Sequence, residues 1–404
     1  MKRIHALVMG SLLWCSPAPA PAQPSFVTLG DLPGGDINSV PSDLSTDGSV
    51  VVGTGTTSGG LGASLGAFRW TRQTGLQPLG SLPGGLNSGG NGVSPNGSYV
   101  TGQTSFQGTG SVGWVWSEAS GIVSIGTLPT PGRAGSSARQ VFDDGMVLGR
   151  SAYGIGDFGT TLVAATVWTP ETGLRALPLP NGDFNAVAVD RLADGRIVGS
   201  SSNSSSARNW FYSEDTGFEF LEDISGSPLT MTGFWANDDG TLVFGHGGPT
   251  GSLTTGAAYW TPEEGERYLP GFGPTTITQA TGLTDDASLV VGFMATFAGQ
   301  VSETQVVWLN QGDADTPYNY SDPIPFVEYV ESMGVDLEGW RINEVRGVSG
   351  DGTTFIGTAS PLTGPPGIHI EAFVLTIPTP ASLALPGLSM LALGRRRRGP
   401  TGQP

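Results

Sequence analysis

Apolar residues in this chain come in short runs that end on glycine. They are "SVVVG" (49–53), "SYVTG" (98–102), "MVLG" (146–149), "RIVG" (196–199), "TLVFG" (241–245), "SLVVG" (288–292) and "TTFIG" (353–357). The runs are rich in β-branched residues, and a turn rich in Asp and Gly precedes each, so strands are predicted rather than helices. A Gly/Ser/Thr loop follows each run, then a second apolar run carrying an aromatic: Trp70, Trp116, Trp168, Trp210, Trp260, Trp308 and Phe373. Next come a turn closing on Gly, as in "TRQTG" (71–75) and "SEASG" (117–121), and another short strand, as in "LQPLG" and "IVSIG". With one short strand ahead of each glycine-ended run, a unit holds four antiparallel strands in about 47 residues, and seven units recur. The expected fold is all-β, a seven-bladed β-propeller over residues 23–378.

The joints between units repeat as well. "LGDLPGG" (29–35) and "LGSLPGG" (79–85) each join a fourth strand to the next unit, with Pro and paired Gly turning the chain. Later copies drift to "IGTLPTPG" (125–132) and "LPLPNGD" (177–183). The repeating part opens on "FVTLG" (26–30), a fourth-type strand with no first three, and its last unit stops after three strands at "EAFVLTIP" (371–378). Pairing of the opening strand with the last blade would close the ring and leave no open edge. The alternative is an open β-solenoid of hairpin repeats. One insertion, 310–340, breaks the period; Phe326, Val330 and Met333 after Pro325, with Gly334 as a stop, predict a short amphipathic helix packed on the propeller.

Both ends differ from the body. Residues 1–22 read as a secretory signal peptide: Lys2 and Arg3, an apolar stretch over 4–15, then a small-residue site that places cleavage between Ala22 and Gln23. Removing it takes away Cys15, the only cysteine, so no disulfide is expected. The other end, 379–404, follows Pro378, Thr379 and Pro380 with an apolar run over 381–394 and then Arg395, Arg396, Arg397 and Arg398. That run is short for a membrane-spanning helix, and the arginines act as a positive-inside stop. Lys2, Arg3 and these four arginines are six of the 18 basic residues, which leaves 12 arginines in the body against 35 acids, a net charge of −23. So acidic a body excludes nucleic acid as a partner and disfavours anionic surfaces.

These residues carry two resemblances. The C-terminal segment resembles a PEP-CTERM sorting tail, with Pro378-Thr379-Pro380 where such tails usually read Pro-Glu-Pro. That resemblance implies processing by an exosortase-type protease and transient membrane anchoring in a Gram-negative-type bacterium. The LGxLPGG joints, the VVG strands, and "GAFRW" (66–70) and "EAFVL" (371–375) resemble the HAF family of bacterial extracellular repeats, without its histidine. It implies an exported protein at the cell surface, outer membrane or extracellular matrix, and carries over no catalytic residues.

Candidate chemistry is sparse. The body holds two histidines, His246 and His369, expected in solvated loops and lacking metal-type spacing. Three carboxylate pairs, Asp143-Asp144, Asp238-Asp239 and Asp285-Asp286, invite comparison with glycosidase pairs. All occupy the same phase of the repeat, between first and second strands, which marks them as turn formers. Asp313, Asp315 and Asp322 offer oxygen ligands in one loop, so calcium is the metal to test; no other cofactor is expected. The expected function is a non-catalytic binding or structural module with an extracellular glycan or protein ligand. Its rivals are a propeller enzyme acting on extracellular polysaccharide and a calcium-dependent adhesion module. Specific partners are expected on the face carrying the variable loops 54–65 and 152–161.

Intact-mass measurement of the exported protein checks the reading of the ends. The product should begin at Gln23 and end close to Pro380; one retaining Arg395 through to Arg398 would mean an uncut anchor.

Overall fold

The computed structural model describes residues 23–378 apart from 36–37, 59–63, 130–134, 157–159, 181, 204–206, 225, 227–228, 230, 249–254, 299, 314 and 364–368. The signal segment and the sorting tail, with Ala22, Thr379, Pro380 and the terminal arginines, lie outside the described residues. Among those described, no helix is long and apolar enough to cross a membrane.

The fold is an all-β propeller. Among the described residues five sheets are four-stranded, and the first of them runs Ser39–Leu44, Val50–Thr56, Leu65–Thr71 and Gly75–Gly80 in sequence order. A sixth, eight-stranded sheet contains two four-stranded meanders that meet through one parallel pair, Val163 beside Asn185. The opening strand Ser25–Thr28 pairs antiparallel with the last strand, Glu371–Thr376, as the sequence predicts for these two segments. Core side chains fill the spaces between successive sheets. Val52 and Ala67 of the first repeat pack with Val93 and Trp114 of the second, and Ile356 and Val374 of the last pack with Val51 and Phe68 of the first. Each large apolar side chain so buried contributes roughly 1.5–3 kcal/mol, and an isolated sheet would expose its faces.

The glycine that ends each second strand has a steric cause. Gly53, Gly102, Gly149, Gly199, Gly245, Gly292 and Gly357 each pair with the first-strand residue that precedes a β-bulge. The bulge bends the first strand towards its neighbour. A Cβ on Gly102 or Gly292 would strike a first-strand carbonyl oxygen, of Gly89 or Gln279; at Gly199 it would strike the Trp210 ring.

The aromatics fall into two registers. Trp70, Trp116, Trp168, Trp260 and Trp308 lie opposite a residue two places before the glycine. Trp210 and Phe373 lie opposite the glycine itself, in step with Phe68 and Trp114. Side chains two apart on a strand share a face, so either position fills the same layer and the sequence cannot tell them apart.

In the joints, Leu32 and Leu82 are buried, and Gly34 and Gly84 take positive φ of 103° and 79° to turn the chain. The insertion separates the third strand of its sheet, Gln300–Leu309, from a two-residue fourth strand, Ile324–Pro325. The predicted helix forms over Phe326–Ser332 and buries Phe326, Tyr329 and Val330. Phe326 meets Phe355 edge-on at 5.4 Å, which anchors the helix on the last repeat.

Gly292→Ala should lower stability by about 1–3 kcal/mol or more through overpacking. Gly75→Ala, at φ 64° with open space around it, should cost about 1–2 kcal/mol of backbone strain alone. Urea melts compare them; equal losses would remove the carbonyl contact as the reason for the repeated glycine.

Candidate functional site

Because the strands are antiparallel, the turns joining first to second strands and third to fourth strands fall on one face. In the first-to-second turns most of the aspartates are committed locally. Asp47 Oδ1 accepts from the Ser45 hydroxyl at 2.7 Å and the Ser49 amide at 3.0 Å, and Asp351 repeats the pattern with Ser349 and Thr353. In the three pairs the second carboxylate caps its own turn: Asp144 accepts from Met146 N, Asp239 from Thr241 N and Asp286 from Ser288 N. The Thr241 hydroxyl and amide hold the Asp239 carboxyl below its ordinary range. The first member faces a neighbouring turn, as where Asp143 accepts the Asn96 amide at 3.0 Å. Backbone bonds continue this linkage: Thr46 N donates to Pro95 O, Ala193 N to Asp238 O, Asp285 N to Gly350 O and Gly350 N to Thr46 O. The pairs are turn and linkage groups, as their shared phase predicts.

First strands line a central cavity of about 240 Å³ that includes Asp43, Gln140, Trp235, Asp285 and Arg346. Immediately after the bulge, Asp43 accepts from Leu44 N and, across to the second repeat, from Val93 N, both at 2.9 Å. Asp190 accepts in the same way from Arg191 N at 2.8 Å and from Ala236 N of the fifth repeat at 3.2 Å. Burial pushes both carboxyls up to about 6 despite these bonds. They join neighbouring sheets at the axis, and no motif in the sequence singles them out.

A groove of about 1220 Å³ opens on the short-turn face, opposite to the loop face expected to bind. It spans the last, first and second repeats, and Arg69, Trp70, Arg72, Gln77, Trp116 and Glu118 are in its lining. The Arg69 guanidinium lies 5.8 Å from the Trp116 ring centre and donates from Nη2 to Gly97 O at 3.3 Å. Partial burial lowers its pKa, against the pull of Glu118. An aromatic floor with amide and guanidinium walls can hold a polar ligand with apolar faces.

The other residues that the sequence offered separate. Asp313 Oδ1 is taken up by the amides of Asp315 and Thr316 at 3.0 and 2.9 Å. Among the described residues no three His, Cys, Asp or Glu side chains gather as a metal site, so Asp313, Asp315 and Asp322 are not brought together as one. The expectation of a solvated loop needs correction for His246. His246 sits on the strand Val243–Gly247, in the wall of a polar cavity of about 460 Å³, where burial lowers its pKa. His369 Nε2 lies 2.5 Å from Glu371 Oε1, and Glu371 Oε2 accepts the Gly30 amide at 3.2 Å, which ties the first joint to the last strand.

No family model matches the sequence, and no curated protein matches it. Solved propellers resemble it in backbone. The β-propeller domain of the Trilobed protease from Pyrococcus furiosus is 12% identical, with 83% of this chain and 95% of that one covered, at a TM-score of 0.53. An oligogalacturonate lyase in complex with manganese is 14% identical over 89% of this chain and 98% of that one, also at 0.53. The oligogalacturonate lyase from Vibrio parahaemolyticus is 11% identical over 88% and 98%, again at 0.53. At such identities the likeness is one of fold.

Asp43 and Asp190 give a pH prediction. Their folded pKa of about 6 lies above the ordinary 3.8, so folding takes up protons between these values. The stability they contribute is complete below about pH 4 and is lost as the pH rises through about 6. Asp43→Asn with Asp190→Asn, which mimics the protonated state, should melt progressively higher than the wild type as the pH rises from about 5 to about 7. A melting difference independent of pH would show that these carboxyls do not titrate there.

Proposed function

We propose that this chain is an exported, non-catalytic propeller of seven blades, closed by its opening strand and held at the cell surface or in the extracellular matrix as a binding or structural module. The observation that carries the reading is the commitment of the repeated carboxylates: those at the same phase of the repeat act in turns and in links between sheets. General acid–base chemistry needs carboxyls or imidazoles converging on a substrate. The groove instead offers aromatic, amide and guanidinium surface, which suits retention of a ligand.

Seven blades are supported by the two meanders of the eight-stranded sheet, joined at one parallel pair, alongside the five four-stranded sheets. Closure is supported by the four register pairs between Ser25–Thr28 and Glu371–Thr376 and by the packing of the last repeat on the first. Export and sorting rest on the signal-peptide pattern, the HAF-like repeats and the PEP-CTERM-like tail, and an exosortase-type protease is the processing partner this implies.

The test is to incubate the mature protein with cells and extracellular polysaccharide of the producing organism. It should sediment with the surface or matrix fraction, with no rise in reducing ends or unsaturated sugar products. A rise in either that tracks the purified protein would replace this reading with the polysaccharide-degrading enzyme.

A further inference from the structure

The repeats supply an internal comparison for the groove. In the fifth and sixth repeats the indole N–H of the third-strand tryptophan is satisfied within the protein: Trp260 Nε1 donates to Glu222 O at 2.8 Å and Trp308 Nε1 to Pro270 O at 2.9 Å. Trp70 and Trp116 occupy the same register and line the groove, and no protein acceptor meets their indole N–H among the described residues, as is also so for Trp168 and for Trp210, which lie outside it. Arg69, between them in the lining, has a buried Nε with no hydrogen-bond partner. Asn96 accepts from Ser94 and Ser98 through Oδ1, while its amide nitrogen has no partner among the described residues. A buried donor without an acceptor costs about 1–3 kcal/mol; of these groups Arg69 Nε is the buried one, and a ligand oxygen reaching it would relieve that cost.

The ligand's class is set by shape and charge. We propose that this groove binds an uncharged polysaccharide; the inference rests on the reading of the chain as a binding module and names what that module holds. At about 1220 Å³ the groove exceeds the volume typical of a small-molecule pocket, which leaves room for several sugar units. Trp116 is half-buried, with the Arg69 guanidinium over its ring, and ring surface left beside that contact suits the apolar face of a sugar whose oxygens can accept from Arg69 Nε. Arg69 and Arg72 balance Asp47 and Glu118 in the lining, so the groove is neutral on a body of net charge −23. A polyanion would meet repulsion from that body and find no excess of positive charge in the groove. An extended peptide added as a further strand on the edge strand Gly75–Gly80 would meet Pro78, which has no N–H to offer the ladder.

The test uses affinity electrophoresis of the mature full chain through gels containing dextran, a soluble β-glucan or polygalacturonate. One or both neutral polymers should retard the wild type, and Arg69→Gln and Trp116→Ala should each weaken that retardation by about tenfold. Glu263→Ser with Glu264→Ser, on other turns of the same face, should leave it unchanged. Arg69→Gln leaves both tryptophans in place and keeps the test valid if Trp116→Ala unfolds. Neutral-glycan binding unaffected by Arg69→Gln overturns the site, and retardation by polygalacturonate alone overturns the charge assignment. No retardation by any polymer overturns the ligand class; sedimentation with the cell surface would then still uphold the broader module reading.

Discussion

The structure depends on one close approach. At six of the seven repeated glycines a first-strand carbonyl oxygen rests where a Cβ would stand, and at Gly199 the Trp210 ring takes that place. The approach exists because the first strand bulges beside each glycine, and it leaves no room for any side chain. The bulge recurs at the same place in every unit, and a bulge increases local strand twist. The apolar residues just before each glycine then face the neighbouring sheets as one layer.

The bulge also sets the polar architecture at the axis. One extra residue shifts the remainder of the first strand by a place, which brings Asp43 and Asp190 against the amides of Val93 and Ala236 on the next first strands. Such carboxylates satisfy edge amides of innermost strands, at the cost of ionising in a buried position. The other first strands place Gly92, Gln140, Trp235, Gly282 or Gly347 there. Only two of the links are therefore ionisable. Out on the turn face the same economy appears in another form, where Ser, Thr, Asp and Asn close each turn through side-chain bonds to the backbone.

The repeats stop being equivalent in how they treat their third-strand tryptophans. Third-strand tryptophans recur, yet what covers their indole N–H differs: carbonyls of Glu222 and Pro270 cap Trp260 and Trp308, while Trp70, Trp116, Trp168 and Trp210 have no protein acceptor among the described residues. Arg69 enters the groove because its strand alternates, with Phe68 and Trp70 packed towards the last repeat and Arg69 on the face turned to Trp116 of the second.

The sequence by itself determined the strand pattern, the all-β propeller fold, the helix over Phe326–Ser332 and the structural role of the aspartate pairs. Each depends on local rules: alternation, turn chemistry and the 3.6-residue period act within a few residues of the chain. It also singled out the repeated glycines, though not their cause, since the bulge that requires them lies on another strand. What only the tertiary structure decided concerns partners distant in sequence. The two registers of the aromatics depend on pairing with the second strand, and His246 is a wall residue of a cavity because its strand packs beside the sixth repeat. The groove unites residues from Gln23 to Thr376, and "FRWTR" (68–72) gives no sign that its arginines meet Trp116 and Asn96. Whether a donor is satisfied is a property of the neighbouring repeat, and proximity across repeats is written in the packing rather than in the local letters.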